Sequence, residues 1–306
     1  MAYTSITVIL NPAAGAGRHQ PVVRRAARAR RIDVREVSAG YKAGALAQEA
    51  VDEGADVLVA AGGDGTVSAV AGVAAEHDVA LVVVPCGTRN HFAKDCGADV
   101  TDPAGQLAAI DDGHEMRIDV GTVNGRVFLN NVSVGFYAAM VRDPEYRRRR
   151  IRVATRYARR AVFWGGRSAS LRTSVPRRVV TPEQLLVALV SNNAYSPGVA
   201  PGPALRPRLD EGRLWVYLLG LPGADRPLTA RLVRGTGRLV SGRALVAAWP
   251  TTRQTMTTDT PSIPIGVDGE AAELNTPLEF TVRPGALRLL QPSRHEPVDR
   301  WFSMRW

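Results

Sequence analysis

Four short stretches of this chain combine glycine with groups able to hold phosphate or move a proton. In one, Val57-Leu58-Val59-Ala60-Ala61 runs straight into Gly62-Gly63-Asp64-Gly65-Thr66-Val67-Ser68, after which Val70, Ala71 and Ala74 continue from Val67 at helical spacing. That pattern is a strand, a tight turn and a helix start, a geometry that aims backbone N–H groups at an anion. Glycine permits positive φ and lets a ligand approach the backbone. A carboxylate beside a phosphate repels it unless a cation intervenes, so Asp64 points to nucleotide phosphate with Mg²⁺. The plainer alternative is a glycine-rich turn capped by Asp64. A second glycine-rich turn is Asn11-Pro12-Ala13-Ala14-Gly15-Ala16-Gly17. A third stretch, Gly87-Thr88-Arg89-Asn90, offers hydroxyl, guanidinium and amide together, which suits phosphate and ribose or else caps an ordinary helix. The fourth, Asp268-Gly269-Glu270, sets two carboxylates about a glycine, as a general base or as a solvated hairpin.

These stretches need elements to position them. Ile6–Leu10 is a continuous apolar run, a buried parallel strand feeding the first glycine turn. A basic helix follows, with Val22, Val23, Ala26 and Ala27 inward and Arg24, Arg25, Arg28 and Arg31 in solvent. Ala43, Leu46, Ala47, Ala50 and Val51 form a second helical stripe, and residues 79–84 another apolar strand. Strands alternating with helices predict a parallel α/β layer structure. Ligands of open α/β sheets bind beyond the carboxyl ends of strands, so the loops after Leu10, Ala61 and Val84 should converge. From about Met116 the pattern changes. Runs at 126–134, 184–191, 213–219 and 263–267, with turn signals at Asn124-Gly125, Glu211-Gly212 and Asp268-Gly269, predict a mainly antiparallel β domain, a sandwich or open barrel. Residues 197–207 read as a proline- and glycine-rich loop. Residues 286–306 complete the β domain or return to the first; the pattern leaves both open.

The 306-residue length accommodates two modest domains. Two cysteines, Cys86 and Cys96, make neither a disulfide framework nor a zinc site, which favours a reducing cytoplasm. Cys86 is expected to pack rather than react, and His77, His114 and His295 are isolated. No apolar run reaches the roughly 18–20 residues that span a bilayer, and the opening residues are expected to lead into the Ile6–Leu10 strand rather than to form a signal peptide. A net charge of +10 implies attraction to polyanions without choosing among nucleic acid, anionic lipid and phosphorylated metabolites.

Taken in order, Asn11-Pro12-Ala13-Ala14-Gly15, Gly62-Gly63-Asp64-Gly65-Thr66-Val67, Pro85-Cys86-Gly87-Thr88-Arg89-Asn90-His91-Phe92-Ala93, Asn130-Asn131-Val132-Ser133-Val134-Gly135, Leu209-Asp210-Glu211-Gly212 and Val267-Asp268-Gly269-Glu270 resemble the diacylglycerol-kinase-like lipid kinases, which include bacterial diacylglycerol kinases and sphingosine kinases. The resemblance spans nearly the whole chain. It implies an α/β nucleotide-binding domain over 1–122, with a parallel sheet like those of phosphofructokinases and NAD kinases. It implies a β-sandwich lipid-substrate domain over 123–285, a chain end at 286–306 returning to the first domain, and a cleft between the two. ATP-dependent phosphorylation of a lipid hydroxyl follows from it, with ATP and Mg²⁺ as cofactors. Carried over by position, Asn11, Pro12, Ala13, Ala14, Gly15, Gly62, Gly63, Asp64, Gly65, Thr66, Val67, Ser68, Thr88 and Asn90 hold ATP, with Ser38 standing in for a nucleotide-contacting threonine. Asp64 joins the magnesium network. Glu270 or Asp268 accepts the hydroxyl proton, Glu270 being the choice. Glu211, with the backbone carbonyls of Arg208 and Arg213, corresponds to a structural magnesium site in bacterial relatives.

The chain departs from that pattern at Ala16, where a lysine is common, at His91, where an aspartate is common, and at Glu211, which is longer than the usual aspartate. A basic aromatic segment, with Arg147, Arg148, Arg149, Arg150, Arg152, Tyr157 and Trp164, is expected either to face an anionic membrane or to be a solvated helix. No nucleic-acid module accompanies the charge, so no nucleic-acid partner is expected. The leading expectation is a cytoplasmic lipid kinase, peripheral to the inner face of the membrane, for which a homodimer is compatible. A soluble-metabolite kinase of the NAD-kinase kind and a nucleotide- or lipid-binding protein without turnover are the alternatives.

Overall fold

The computed structural model describes residues 3–135, 171–174, 178–180, 187–196, 205–220 and 244–293. The basic aromatic segment lies outside them. The chain divides into two units, the first holding residues through Val120, Pro207–Asp210 and the chain from Arg283, the second holding Gly121–Arg206 and Glu211–Val282.

In the first unit, β1 (Ile6–Leu10), β2 (Asp33–Glu36), β3 (Val57–Gly62) and β4 (Ala80–Pro85) form a parallel sheet in the order β2-β1-β3-β4. Every residue of β3 and β4 is buried, which is what a parallel sheet covered on both faces demands and why these runs are continuously apolar. Helices α1 (Gln20–Ala29), α2 (Ala43–Asp52) and α3 (Asp64–His77) follow the first three strands, and α4 (His91–Asp95) and α5 (Ala109–Asp112) are short. The α2 stripe holds, with Ala43, Leu46, Ala47 and Ala50 buried. On α1 only Val23 and Ala27 are buried, whereas Val22 is 47% exposed, because it lies one residue, or about 100°, off the buried line.

Strand β5 (His114–Val123) starts in the first unit and ends in the second, and β16 (Leu278–Gln291) runs the other way. The end of β16 is parallel to β4, with Leu289 opposite Leu81. A buried carboxylate, Asp119, accepts the Gly285 N–H at 2.9 Å and fixes the left-handed backbone there.

The second unit is a sandwich. One layer is a six-stranded antiparallel sheet in the order β12 (Ala244–Thr251), β11 (Leu214–Gly220), β10 (Val187–Asn192), β7 (Asn131–Gly135), β14 (Ser262–Val267) and β15 (Glu270–Asn275). In the other, β13 (Arg253–Thr257) pairs with the start of β16 and with β8 (Leu171–Thr173), which pairs β9 (Arg178–Val180); β6 (Arg126–Phe128) closes a hairpin on β5. Val132, Val190, Val216 and Ile265 of the first layer share one core with Phe128, Leu171, Met256 and Phe280 of the second. The run at 126–134 is not one strand. It breaks at Leu129-Asn130, whose N–H groups serve a side chain instead of a ladder.

Candidate functional site

Three loops leave the carboxyl ends of β1, β3 and β4 and meet. Asn11 organises the first: its N–H donates to the Ala61 carbonyl at 2.8 Å, its Oδ1 accepts the Ala13 N–H at 3.0 Å, and its Nδ2 donates to Thr66 Oγ1 at 3.0 Å. One amide thus ties the β1 loop to the first turn of α3. Gly15 has φ +58°, and a β-carbon there would collide with the Cys86 carbonyl, so the first loop lies against the third. The second meets the third through Gly63 and Gly87, where a β-carbon on Gly87 would stand 2.5 Å from Gly63 Cα. Close backbone approach, not flexibility, requires glycine here.

Helix α3 begins at Asp64 behind an extended Gly63, with no side-chain cap on its first turn. Its leading N–H groups therefore face the converged loops, the arrangement that receives an anion. Asp64 is half-buried, and its Oδ1 accepts the Phe92 N–H at 3.3 Å. Gly62, Thr66 and Val67 are buried; Pro12, Ala14, Gly65 and Ser68 are half-buried; Ala13 and Thr88 are exposed. Asn90 is buried at φ +50°, and both ends of its amide bond Gly87, at 2.8 and 2.9 Å, so it shapes the third loop. Ser38 is exposed in the loop after β2, at the same sheet edge, its N–H on the Tyr41 carbonyl. Desolvation lowers the pKa of the His91 imidazole while the Asp64 carboxylate pulls it upward. Burial pushes the Cys86 thiol up to about 11, consistent with a packing role.

In the second unit, the turn between β14 and β15 carries Asp268 and Glu270. Asp268 is buried at φ +48°, with Oδ2 accepting the Leu129 N–H at 2.8 Å and Oδ1 accepting those of Asn130 and Asn131 at 2.8 and 3.1 Å. Its own N–H returns to the Asn131 carbonyl at 2.9 Å. Glu270 is exposed, its Oε2 3.8 Å from the Arg126 guanidinium. Of these two carboxylates, one is built into the backbone and the other projects from it.

Mg²⁺ commonly takes one or two carboxylates and fills its shell with phosphate oxygens and water, and Asp64 at the uncapped helix start fits that donor set. Glu211 and Arg213 stand just before β11. Glu211 Oε2 accepts the Ala194 N–H at 3.2 Å, and its N–H donates to Asn193 Oδ1 at 3.0 Å. The Arg213 carbonyl accepts the Asn193 N–H at 3.0 Å, and Arg208 pairs through its side chain with Asp210. Among the described residues no cluster of three His, Cys, Asp or Glu could hold a metal. Sequence reasoning also passed over Arg206, which is 1% exposed in a stretch read only as loop; a lone arginine in so basic a chain gives no signal of burial.

Residues 5–123 match the family model of the diacylglycerol kinase catalytic domain. A protein of Pseudomonas aeruginosa (strain UCBPP-PA14), named "Probable lipid kinase YegS-like", is 30% identical over 252 residues, covering 81% of this chain and 80% of that protein. A diacylglycerol kinase of Staphylococcus aureus (strain JH9) is 40% identical over 91 residues, 29% of each chain. Among solved structures, a diacylglycerol kinase from Bacillus anthracis str. Sterne superposes with a TM-score of 0.64 at 16% identity, covering 97% of this chain and 100% of that one, a likeness of fold. Among the described residues no helix is long and apolar enough to cross a membrane.

Proposed function

This chain belongs to the diacylglycerol-kinase-like lipid kinase family, and on that premise we propose that it transfers the γ-phosphoryl group of ATP to a hydroxyl of diacylglycerol or a related lipid. The observation that carries the reading is the meeting of three glycine-bearing loops at the uncapped start of α3, with Asp64 at its head. The glycine-bearing loops at 11–15 and 62–68 cradle the nucleotide phosphates, the leading N–H groups of α3 serve as donors, and the exposed Thr88 hydroxyl supplies a further one. When bound, Mg²⁺ neutralises charge on the transferred phosphoryl group, and Asp64 is the residue that would hold it.

Glu270 takes the proton of the lipid hydroxyl as that oxygen forms its bond to the γ-phosphorus. The bond from phosphorus to the bridging oxygen breaks, and ADP leaves with the electron pair. Glu270 suits the task because its carboxylate is exposed and projects from a fixed turn. The +10 charge supports work against an anionic membrane surface on the cytoplasmic side. No step is routed through Glu211, whose side chain bonds the protein's own backbone.

Transfer of radiolabelled γ-phosphate from ATP to a panel of lipids, with NAD as competing acceptor, tests the proposal. Labelled phosphatidic acid or a related phospholipid is the expected product. Exclusive labelling of NAD would overturn it in favour of a soluble-metabolite kinase.

A further inference from the structure

We infer that Arg206 is a positioning residue for this reaction, holding the Asp268-Gly269-Glu270 turn through the backbone of Leu129 and Asn130. Its kinetic consequence rests on the kinase reading above; its structural half does not.

The Arg206 side chain is among the largest fully buried in the described residues. Its Nη1 donates to the carbonyls of Leu129 and Asn192, the latter at 2.9 Å, and its Nη2 donates to Asn130 Oδ1 at 2.7 Å. Leu129 and Asn130 are the residues whose N–H groups bond the Asp268 carboxylate. One short segment is therefore gripped from two sides, a cation on its carbonyl and side-chain oxygens and an anion on its amides. The remaining carbonyl valences are filled from β10: Asn192 N–H reaches the Asn130 carbonyl at 3.0 Å and Asn192 Nδ2 the Leu129 carbonyl at 3.3 Å.

Desolvating a guanidinium is expensive unless its donors are matched, and an apolar side chain would fill the same space at lower cost. What an apolar residue cannot do is fix two carbonyls and an amide oxygen from one rigid fork. The segment so fixed is the seat of Asp268, and Asp268 sets the turn from which Glu270 projects two residues later. Asp268 is thereby a positioning residue too, its oxygens committed to three backbone donors. Removing Arg206 releases one side of the seat and lets Glu270 drift.

The test uses the full chain with Arg206→Gln, Arg206→Lys and the milder Asn130→Ala, which removes one acceptor of the fork. Turnover and hydrogen–deuterium exchange over peptides spanning 127–133 and 266–272 are both read. Arg206→Gln is expected to lower kcat about 10- to 100-fold, the scale of a misplaced catalytic group. The KM for ATP is expected to stay within about 2-fold, since the nucleotide loops are untouched. Exchange should quicken in both peptides, Arg206→Lys should recover part of the loss, and Asn130→Ala should lose least. Glu270→Gln is the reference, slow in turnover but unchanged in exchange. A folded Arg206→Gln with wild-type kcat would overturn the inference, as would unchanged exchange in both peptides. If the wild type labels no acceptor at all, the kinase reading fails by itself, and exchange still decides whether Arg206 holds the turn.

Discussion

Asp64 and Asp268 are both aspartates set against glycine, and each follows a strand: β3 for Asp64, β14 for Asp268. Asp64 stands half-buried at the head of a 14-residue helix whose first turn has no side-chain cap, its Oδ1 accepting the Phe92 N–H at 3.3 Å. Asp268 is enclosed, with three backbone N–H groups at 2.8 to 3.1 Å on its two oxygens. The residue type and the neighbouring glycine are the same, so the difference in role comes from the donors each carboxylate meets. A carboxylate facing an anion-receptive helix start can serve a ligand and its cation. One spent on three amides holds a loop, and in the proposed reaction the proton chemistry falls to its neighbour, Glu270.

The sharpest way to break this comparison is to exchange the fates of the two second-unit carboxylates. Glu270→Gln should lower kcat by about 10²- to 10⁴-fold, the range of a lost general base, with KM for ATP and thermal stability near wild type. Asp64→Ala comes next, with a loss of about 10²- to 10³-fold in turnover and no change in the far-UV circular dichroism spectrum. Full activity in that variant would remove the proposed metal role. Asp268→Asn belongs to the other category. It turns an amide donor toward backbone donors and should cost about 3 kcal/mol of stability, read as a drop in the urea midpoint. Should Asp268→Asn instead melt like wild type and lose turnover as Glu270→Gln does, the assignment of base and anchor is reversed. Gly15→Ala probes the first unit: the clash with the Cys86 carbonyl at φ +58° should cost about 1–3 kcal/mol and weaken nucleotide binding measured by calorimetry.

What the sequence disclosed follows the same line. The strands β1, β3 and β4 were legible because a parallel sheet buried on both faces needs unbroken apolar runs, and the loops because close backbone contact admits only glycine. Strand β2, Asp-Val-Arg-Glu, carried no such signal; it sits at the sheet edge, where one flank needs no apolar partner. Strand β16 was hidden by Pro284-Gly285, which reads as a break, yet Asp119 holds the chain through it. The interruption at Leu129-Asn130 was hidden because its cause lies 138 residues away for Asn130, in the Asp268 carboxylate. Arg206 was invisible for a related reason, since its meaning depends on the Leu129 carbonyl and the Asn130 side-chain oxygen, 77 and 76 positions earlier in the chain. Local backbone demands leave a local trace; long-range side-chain demands on backbone do not.

A third carboxylate calibrates how much enclosure matters. Glu115, in the first unit, bonds the Arg288 guanidinium at 2.7 and 2.8 Å, joining β5 to the end of β16, but its side chain keeps 32% of its exposure. The Arg288 hydrogen bonds hold its carboxyl below the ordinary value of 4.5. A folded-state value below the unfolded one means the pair's stabilisation is complete above pH 4.5 and fades as pH falls through the lower folded value. Because solvent screens the pair, Glu115→Gln should cost only about 0.5 kcal/mol at neutral pH, and the wild-type and variant urea midpoints should converge on acidification below that window. If Glu115→Gln costs as much as Asp268→Asn, then enclosure by backbone donors is not what separates an anchoring carboxylate from a surface one, and the contrast between Asp64 and Asp268 needs another cause. A cost several-fold smaller leaves the three backbone amides as the reason Asp268 anchors the turn.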